Sequence, residues 1–241
     1  MTTVPSRVCV IGAGPCGLAA LKNLLAEGLH EVVCHDEAAS IGGNWAFTDD
    51  PLRPSVHECT HTISSKRLSS FDDFPMPDSY PDYPSHRQMH AYFSSYANAF
   101  RLWPHIRLGS RVEQCTPLAD GRWTVHSVSG DFRSTETFDF LLVCTGHHRF
   151  PFFPSYRGSF AGQTVHSSEY KRPDPFRDRR VLIVGAGNSA ADIAVDVCRV
   201  ASHTALSQRA GTHIVPKLVC GRPVDAVHAF WTVWYSKEHS P

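Results

Sequence analysis

Val8-Cys9-Val10-Ile11-Gly12-Ala13-Gly14-Pro15-Cys16-Gly17 decides the fold. Four apolar residues in a row read as a strand buried on both faces of a parallel sheet, and they run straight into G-x-G-x-x-G. Leu18, Leu21 and Leu25 then recur at helical spacing, and Gly28 is placed to stop that helix. A second strand, Val32–His35, ends at Asp36, which lies 24 positions past Gly12. Strand, glycine turn, helix, strand and acid in this order set a pyrophosphate on a helix N-terminus and a carboxylate on a ribose 2′-hydroxyl. The bland alternative is a tight strand-to-helix turn without a ligand.

The same grammar returns 173 positions later as Val181–Val184 followed by Gly185-Ala186-Gly187-Asn188-Ser189-Ala190. Ala190 stands where the third glycine would, a position that mainly serves helix–strand packing. The next helix is expected to bury Ile193, Val197 and Val200. The strand His203–Ser207 leads to Arg209, again 24 positions past its first glycine. A carboxylate at that offset suits a free ribose hydroxyl, as in FAD or NAD, and a guanidinium suits the 2′-phosphate of NADP. Arg209 has the competing reading of a solvated surface residue. Two sites with opposite end groups imply a flavin reduced by NADPH. The predicted fold class is therefore α/β, with two Rossmann-like dinucleotide-binding domains, one for FAD and one for NADP.

Composition narrows the alternatives. The 241 residues hold 23 Lys and Arg against 23 Asp and Glu, so the surplus positive charge a nucleic-acid or anionic-membrane protein needs is missing. With 42% hydrophobic and 19% charged residues the chain can bury a sizeable core. No apolar run approaches the roughly 18 residues of a membrane span, and Met1–Arg7 lacks the apolar stretch of a secretory signal, which together predict a cytoplasmic chain with no membrane anchor. Cys9, Cys34 and Cys144 sit inside strand runs that read as buried, and no two of the eight cysteines are spaced C-x-x-C, so eight free thiols in a reducing compartment are expected.

Ile41-Gly42-Gly43-Asn44-Trp45, Ser70–Pro77 and Leu142–His148 resemble segments of the flavin-containing monooxygenases, a group of class B flavoprotein monooxygenases. So does Phe160-x-Gly162-x-x-x-His166-x-x-x-Tyr170, followed by Lys171, which is similar to that family's identifying pattern. The resemblance implies N,N-dimethylaniline monooxygenase-like chemistry. NADPH reduces FAD, O2 adds to the reduced flavin, and the hydroperoxide waits for a soft nucleophile, an amine nitrogen or a sulfide sulfur. The cofactor carries the hard chemistry, so no catalytic triad or carboxylate pair is expected and no catalytic side chain is named. Carried over residue by residue, Gly12, Ala13, Gly14, Pro15, Cys16 and Gly17 would hold the FAD pyrophosphate. Asp36, in place of a more usual glutamate, would take the ribose, and Asn44 and Trp45 would line the flavin. Gly185, Gly187, Asn188, Ser189, Ala190 and Asp192 would lie at the NADP pyrophosphate, with Arg209 on the 2′-phosphate. One departure stands out. Where many members carry an active-site asparagine before S-S-K, an ungapped alignment on Ser64-Ser65-Lys66 puts Ile63, so either Thr62 or Ser64 substitutes by a shift of register or the enzyme leaks peroxide.

Other signals are discounted. His57-Glu58-Cys59-Thr60-His61 spells H-E-x-x-H, yet Pro51 and Pro54 lie upstream and Thr60, Thr62 and Ile63 are β-branched, which opposes the helix a zinc site needs, so no metal is expected. Residues 172–180 read as a charged, proline-broken connector and 74–84 as irregular surface chain. The stretch 111–143 reads as an antiparallel meander closed by a buried return strand, Phe140–Val143. The expected organisation is an FAD-binding domain with a β-meander over 1–150 and a linker with the family motif over 151–180. An NADP-binding domain over 181–241 follows, unfinished and ending in the apolar run Phe230–Tyr235. A Baeyer–Villiger monooxygenase is the alternative within enzymes, though Tyr170 stands where that class usually has tryptophan. An inactive nucleotide-binding fragment is the alternative outside them.

Overall fold

The computed structural model describes residues 6–226, so the apolar run Phe230–Tyr235 lies outside the described residues. The chain divides into two compact units, Met1–Phe47 with Met89–Tyr156, and Thr48–Gln88 with Arg157–Pro241.

In the first unit the opening stretch forms β1 (Val8–Ile11), α1 (Pro15–Ala26) and β2 (Val32–His35), the spans its apolar pattern predicts. Gly28, at φ 83°, lets the chain turn back after α1, and its N–H donates to the Leu25 carbonyl at 3.1 Å. The short α2 (Lys66–Ser69) belongs to the second unit. α3 (His86–Ala99) buries Met89, Tyr92, Phe93, Tyr96 and Ala97, one stripe at i, i+3, i+4, i+7 and i+8. β3 (Ile106–Arg107) joins the parallel sheet, and β4 (Arg111–Pro117), β5 (Trp123–Ser129) and β6 (Phe132–Phe138) make the predicted antiparallel meander. β7 (Phe140–Val143) then returns to pair with β1, giving the order β3-β2-β1-β7. Because side chains alternate along β1, Cys9 faces the meander and packs on Val125 and Phe138, with Ile11, Val33 and Leu141 beside them. α1 packs on β1 and β2.

Two expectations are corrected here. The return strand is not buried, since it is the last strand of its sheet among the described residues and leaves Phe140 55% and Val143 66% exposed. Cys144 is not inside that strand but one residue beyond it, half-buried, whereas Cys9 and Cys34 are buried. All eight cysteines are free.

In the second unit β8 (Arg180–Val184), α4 (Asn188–Val197) and β9 (His203–Ser207) repeat the parallel βαβ arrangement, with Arg180 opposite His203 and Val184 opposite Ser207. One face of the strand pair is covered by Ile193 and Val197 of α4, together with Tyr170 and Phe176. Leu182, Val184 and Leu206 on the strand pair are exposed. Val200 is not buried by the helix as expected. α4 stops at Val197, and Val200 lies half-buried in the following turn, its carbonyl accepting the Asp178 N–H at 3.0 Å. β10 (Leu218–Val219) and β11 (Arg222–Pro223) form a short hairpin. Residues 74–84 carry no helix or strand, as four prolines dictate. No helix among the described residues is long and apolar enough to cross a membrane.

Burial of three histidines sets the acid response. Burial lowers the pKa of His35, His57 and His86, foremost by desolvation, with Arg107 adding to it at His35 and Arg87 at His86. The unfolded chain therefore binds protons the folded chain refuses, and stability is complete above pH ~6.5 and lost as pH falls below it. Each group contributes up to about 1.4 kcal/mol per pH unit, so the three together up to about 4. Melting temperatures should be level from pH 8 to 7 and drop steeply by pH 5.5. A level profile across that window would contradict the buried neutral assignment.

Candidate functional site

The first glycine turn is built by close approach. Gly12 sits at φ 103°, and a Cβ there would lie 2.5 Å from the Cys144 carbonyl oxygen. A Cβ on Gly17 would fall 1.8 Å from the Gly12 oxygen, so α1 can start this close to β1 only without one. The Gly12 N–H donates to the His35 carbonyl at 2.7 Å, tying the turn to the end of β2. Gly14 caps α1 with extended backbone and no side-chain hydrogen bond, Pro15 occupies the first turn and no acidic residue follows it. The first-turn amides thus lack a built-in acceptor, and the positive end of the helix is left for an anion from outside.

Ile41–Trp45 lies across this turn. The Gly42 N–H donates to the Ala13 carbonyl at 2.9 Å, and a Cβ on Gly43 would stand 3.2 Å from the Gly14 Cα. Gly42 is backed by His90 and Phe93 of α3, so the helix the sequence reading passed over is what supports the loop. Its stripe from Met89 to Ala97 was the available signal. Asn44 and Trp45 are half-buried on a single helical turn. Asp36 is already engaged, with Oδ2 accepting the Ala13 N–H and Oδ1 accepting the Ala38 N–H, each at 2.7 Å. Each oxygen keeps a lone pair for a further donor.

The second turn repeats the first almost atom for atom. The Gly185 N–H donates to the Ser207 carbonyl at 2.8 Å, as Gly12 does to His35, and the Ala191 N–H reaches the Gly187 carbonyl at 3.0 Å, as Leu18 does to Gly14. Gly187 caps α4 at φ −78° and ψ 178°, against −73° and −177° for Gly14. The difference lies in packing. Gly185 opens to φ 126°, and a Cβ there would meet only the Ala190 methyl, at 3.8 Å, where a Cβ on Gly12 would strike the Cys144 carbonyl. Asn188 and Ser189 are exposed at the helix start, Asp192 is half-buried on α4, and Arg209 is exposed two residues past β9.

A family model described as FMO-like, flavin-binding monooxygenase-like, matches residues 5–233. The chain belongs to this family. It is 38% identical over 232 residues to flavin-containing monooxygenase 1 of Homo sapiens, an alignment that takes in 92% of this chain and 43% of the human one. Among solved structures it is similar to the S-allyl-L-cysteine S-oxygenase of Allium sativum, with 29% identity, a TM-score of 0.81, and coverage of 92% and 55% of the two chains. A flavin-containing monooxygenase from Stenotrophomonas maltophilia gives 30% identity and a TM-score of 0.75, over 89% and 61%. The chain spans about 43% of the length of the curated relatives it matches.

Within this flavin-binding monooxygenase-like chain, the segment before Ser64-Ser65-Lys66 belongs to the second unit. Thr62 is 3% exposed, its N–H donating to the Pro84 carbonyl at 2.9 Å and its carbonyl accepting Lys217 Nζ at 3.0 Å, while its hydroxyl is buried without a partner. Ile63 turns outward, 65% exposed. Ser64 Oγ is held to Ser69 Oγ at 2.8 Å, and the Ser65 N–H donates to Asp225 Oδ2 at 2.6 Å. Of the positions flanking the missing asparagine, Thr62 alone carries a polar group that is both buried and uncommitted. Lys217 and Asp225, which hold this segment, had no sequence signal, being distant in the chain.

His57–His61 is a turn, not a helix. His57 is buried edge-on against Tyr170, and exposed His61 directs Nδ1 to the Cys59 carbonyl at 2.8 Å. The two imidazoles therefore do not share a face, and no cluster of three or more metal-ligating side chains occurs among the described residues. Burial pushes the Cys9 and Cys34 thiols up to about 12, which keeps them protonated and unreactive.

Proposed function

We propose that the chain holds the two dinucleotide sites of an NADPH-dependent flavin monooxygenase, FAD on the first glycine turn and NADP(H) on the second. The observation that carries this reading is the pair of matched turns, each a helix N-terminus with no side-chain cap and no acidic residue in its first turn, that differ at their far ends in Asp36 and Arg209. FAD, once reduced by NADPH, supplies the activation of O2 and the transfer of one oxygen atom to an amine nitrogen or sulfide sulfur. The protein's part is binding, orientation and exclusion of water. Backbone amides of Gly14, Cys16 and Gly17 and of Gly187 to Ala190 face the two pyrophosphates, while the Ala13 N–H is spent on Asp36, which takes a ribose hydroxyl on its free lone pairs. Asn44 and Trp45 border the flavin, Asp192 lies near the nicotinamide nucleotide, and Arg209 pairs with the 2′-phosphate. In this division residues 1–150 serve FAD, 151–180 link, and 181–241 serve NADP.

The test is direct binding. The purified chain should take up FAD near one equivalent, read by absorbance at about 450 nm, and should bind NADP+ more tightly than NAD+ in a fluorescence titration. A folded chain that binds neither nucleotide overturns the reading. For the uncommitted Thr62 hydroxyl the expected result is specific. In the chain supplied with FAD and NADPH, Thr62→Val should raise the peroxide released per NADPH oxidised, whereas Ile63→Asn, on an outward side chain, should lower it only if it displaces Thr62 from that role. Unchanged coupling in both variants would remove this segment from the reaction.

A further inference from the structure

The motif Phe160-x-Gly162-x-x-x-His166-x-x-x-Tyr170 has so far served only as a mark of family. Its last residue is 3% exposed, and its hydroxyl donates to Asp196 Oδ2 at 2.7 Å. Asp196 is on the last turn of α4 and is itself only 7% exposed. Burial first, and that carboxylate second, push the Cys59 thiol up to about 12, and Arg199 reaches Oδ1 only at 3.8 Å. Burial first, and the Asp196 carboxylate second, push the Tyr170 hydroxyl well up, so it remains a donor at any working pH.

The tyrosine ring is fixed from several sides. It packs on Ile193 and Val197 of α4, on Phe176 at 5.7 Å and edge-on to His57 at 5.4 Å. The next residue anchors the backbone. Lys171 is buried, with Nζ donating to the Arg53 carbonyl at 3.0 Å and to Ser55 Oγ at 2.8 Å, and its carbonyl accepts the Glu58 N–H at 2.9 Å. Tyr170 thus belongs to a rigid seat that grips the far end of α4.

That grip matters because the other contacts of the helix are non-directional. Ile193 and Val197 are apolar and would permit sliding or rotation of the helix at little cost. Among the described residues, the hydrogen bond that ties an α4 side chain to another segment is the one from Tyr170 to Asp196. A helix of ten residues is about 15 Å long and behaves as a rod, so a register fixed at its last turn is fixed at its first. The first turn, Gly187 to Ala190, carries the amides assigned above to the NADP pyrophosphate.

We propose that Tyr170 is a positioning residue for the NADP site. By holding Asp196 it sets the rotation and register of α4 and so aims the first-turn amides. The inference rests on the assignment of NADP(H) to the second turn. It predicts that losing the hydroxyl weakens every ligand that shares the pyrophosphate, NADP+ and NAD+ alike, without altering the preference between them and without touching FAD.

The experiment compares residues 1–241 with Tyr170→Phe, Asp196→Leu and Asp196→Asn, measuring NADP+, NAD+ and FAD binding by titration and amide hydrogen exchange in the unliganded chain. Tyr170→Phe and Asp196→Leu should raise both nicotinamide nucleotide dissociation constants by a common factor, roughly 5- to 20-fold, with FAD unchanged. Asp196→Asn keeps an acceptor oxygen for the hydroxyl and should stay near the parent. Exchange over residues 193–197 should quicken in Tyr170→Phe while residues 18–26 of α1 do not change. Unaltered NADP+ affinity in a folded Tyr170→Phe chain overturns the inference, as does a parallel loss of FAD and NADP+ in all three variants, which marks general destabilisation. If the parent chain binds no NADP+, it is the site assignment that fails. The exchange measurement then still decides whether Tyr170 holds α4, and unaltered exchange overturns that.

Discussion

Gly17→Ala should cost the first unit much of its stability, while Gly187→Ala should leave the second unit intact and abolish most of its nucleotide binding. A methyl on Gly17 would stand 1.8 Å from the Gly12 carbonyl oxygen and 2.9 Å from its carbon, and both are backbone atoms that cannot step aside like the end of a side chain. Relieving the clash means lifting α1 off β1, where Leu18 and Leu21 are fully buried. Overpacking of this kind costs about 3 kcal/mol or more, which lowers the melting temperature by roughly 10 °C. Gly187 is the opposite case. Its φ of −78° suits any residue, and a Cβ would meet nothing within 4 Å. The change should be within about 0.5 kcal/mol of neutral for folding. The open space is the point, because the second glycine of the turn exists so that a pyrophosphate can come up to the backbone. A methyl there should weaken NADP+ by on the order of tenfold or more, read by titration beside thermal melts of both variants. If Gly17→Ala melts like the parent, the close approach is not real. If Gly187→Ala keeps full NADP+ affinity, that turn does not receive a pyrophosphate.

The contrast between these two glycines also marks what was legible in the sequence. G-x-G-x-x-G, its strands and its helices could be read because the constraint is local, four apolar residues followed by a turn that tolerates no side chain. The meander could be read for the same reason, with Asp120-Gly121 and Gly130-Asp131 at its turns. What could not be read were partners remote in the chain. Nothing near Gly42 announces that His90 and Phe93 will back it, and nothing near Thr62 announces Lys217 or Asp225. Burial was misjudged wherever it depended on the sheet rather than the strand. Phe140–Val143 and Leu182–Val184 are as apolar as Val8–Ile11, yet only β1 lies between two strands, so the same composition is buried in one place and leaves Phe140, Val143, Leu182 and Val184 exposed in the others. Ile63 is a related case, since an ungapped alignment counts positions, whereas the fold points Thr62 inward and Ile63 out.

Arg209→Ala should remove the preference for NADP+ over NAD+ by weakening the phosphorylated nucleotide alone. The argument starts from the offset Arg209 shares with Asp36, each 24 residues past the first glycine of its turn, where the second strand of the unit ends and the ribose comes within reach. Arg209 is exposed, two residues beyond β9, and makes no hydrogen bond or ion pair among the described residues, so its guanidinium is not spent on the protein's own structure. A bidentate pair with a phosphate is among the strongest exposed interactions a side chain can make, and its loss should weaken NADP+ by roughly 5- to 150-fold. Solvent and salt reduce that advantage, so the upper part of the range applies at low ionic strength and the lower part near 0.15 M, where the Debye length is about 8 Å. NAD+ lacks the 2′-phosphate and should bind the variant and the parent equally. Arg209→Asp should go further and disfavour NADP+ outright, by placing a carboxylate against the phosphate as Asp36 stands in the first turn. These outcomes separate Arg209 from Tyr170, whose loss should weaken both nucleotides by one factor and leave their ratio alone. Equal NADP+ affinity in Arg209→Ala and the parent, measured at 10 mM salt, would return this arginine to the solvated surface and leave the second turn without a phosphate clamp.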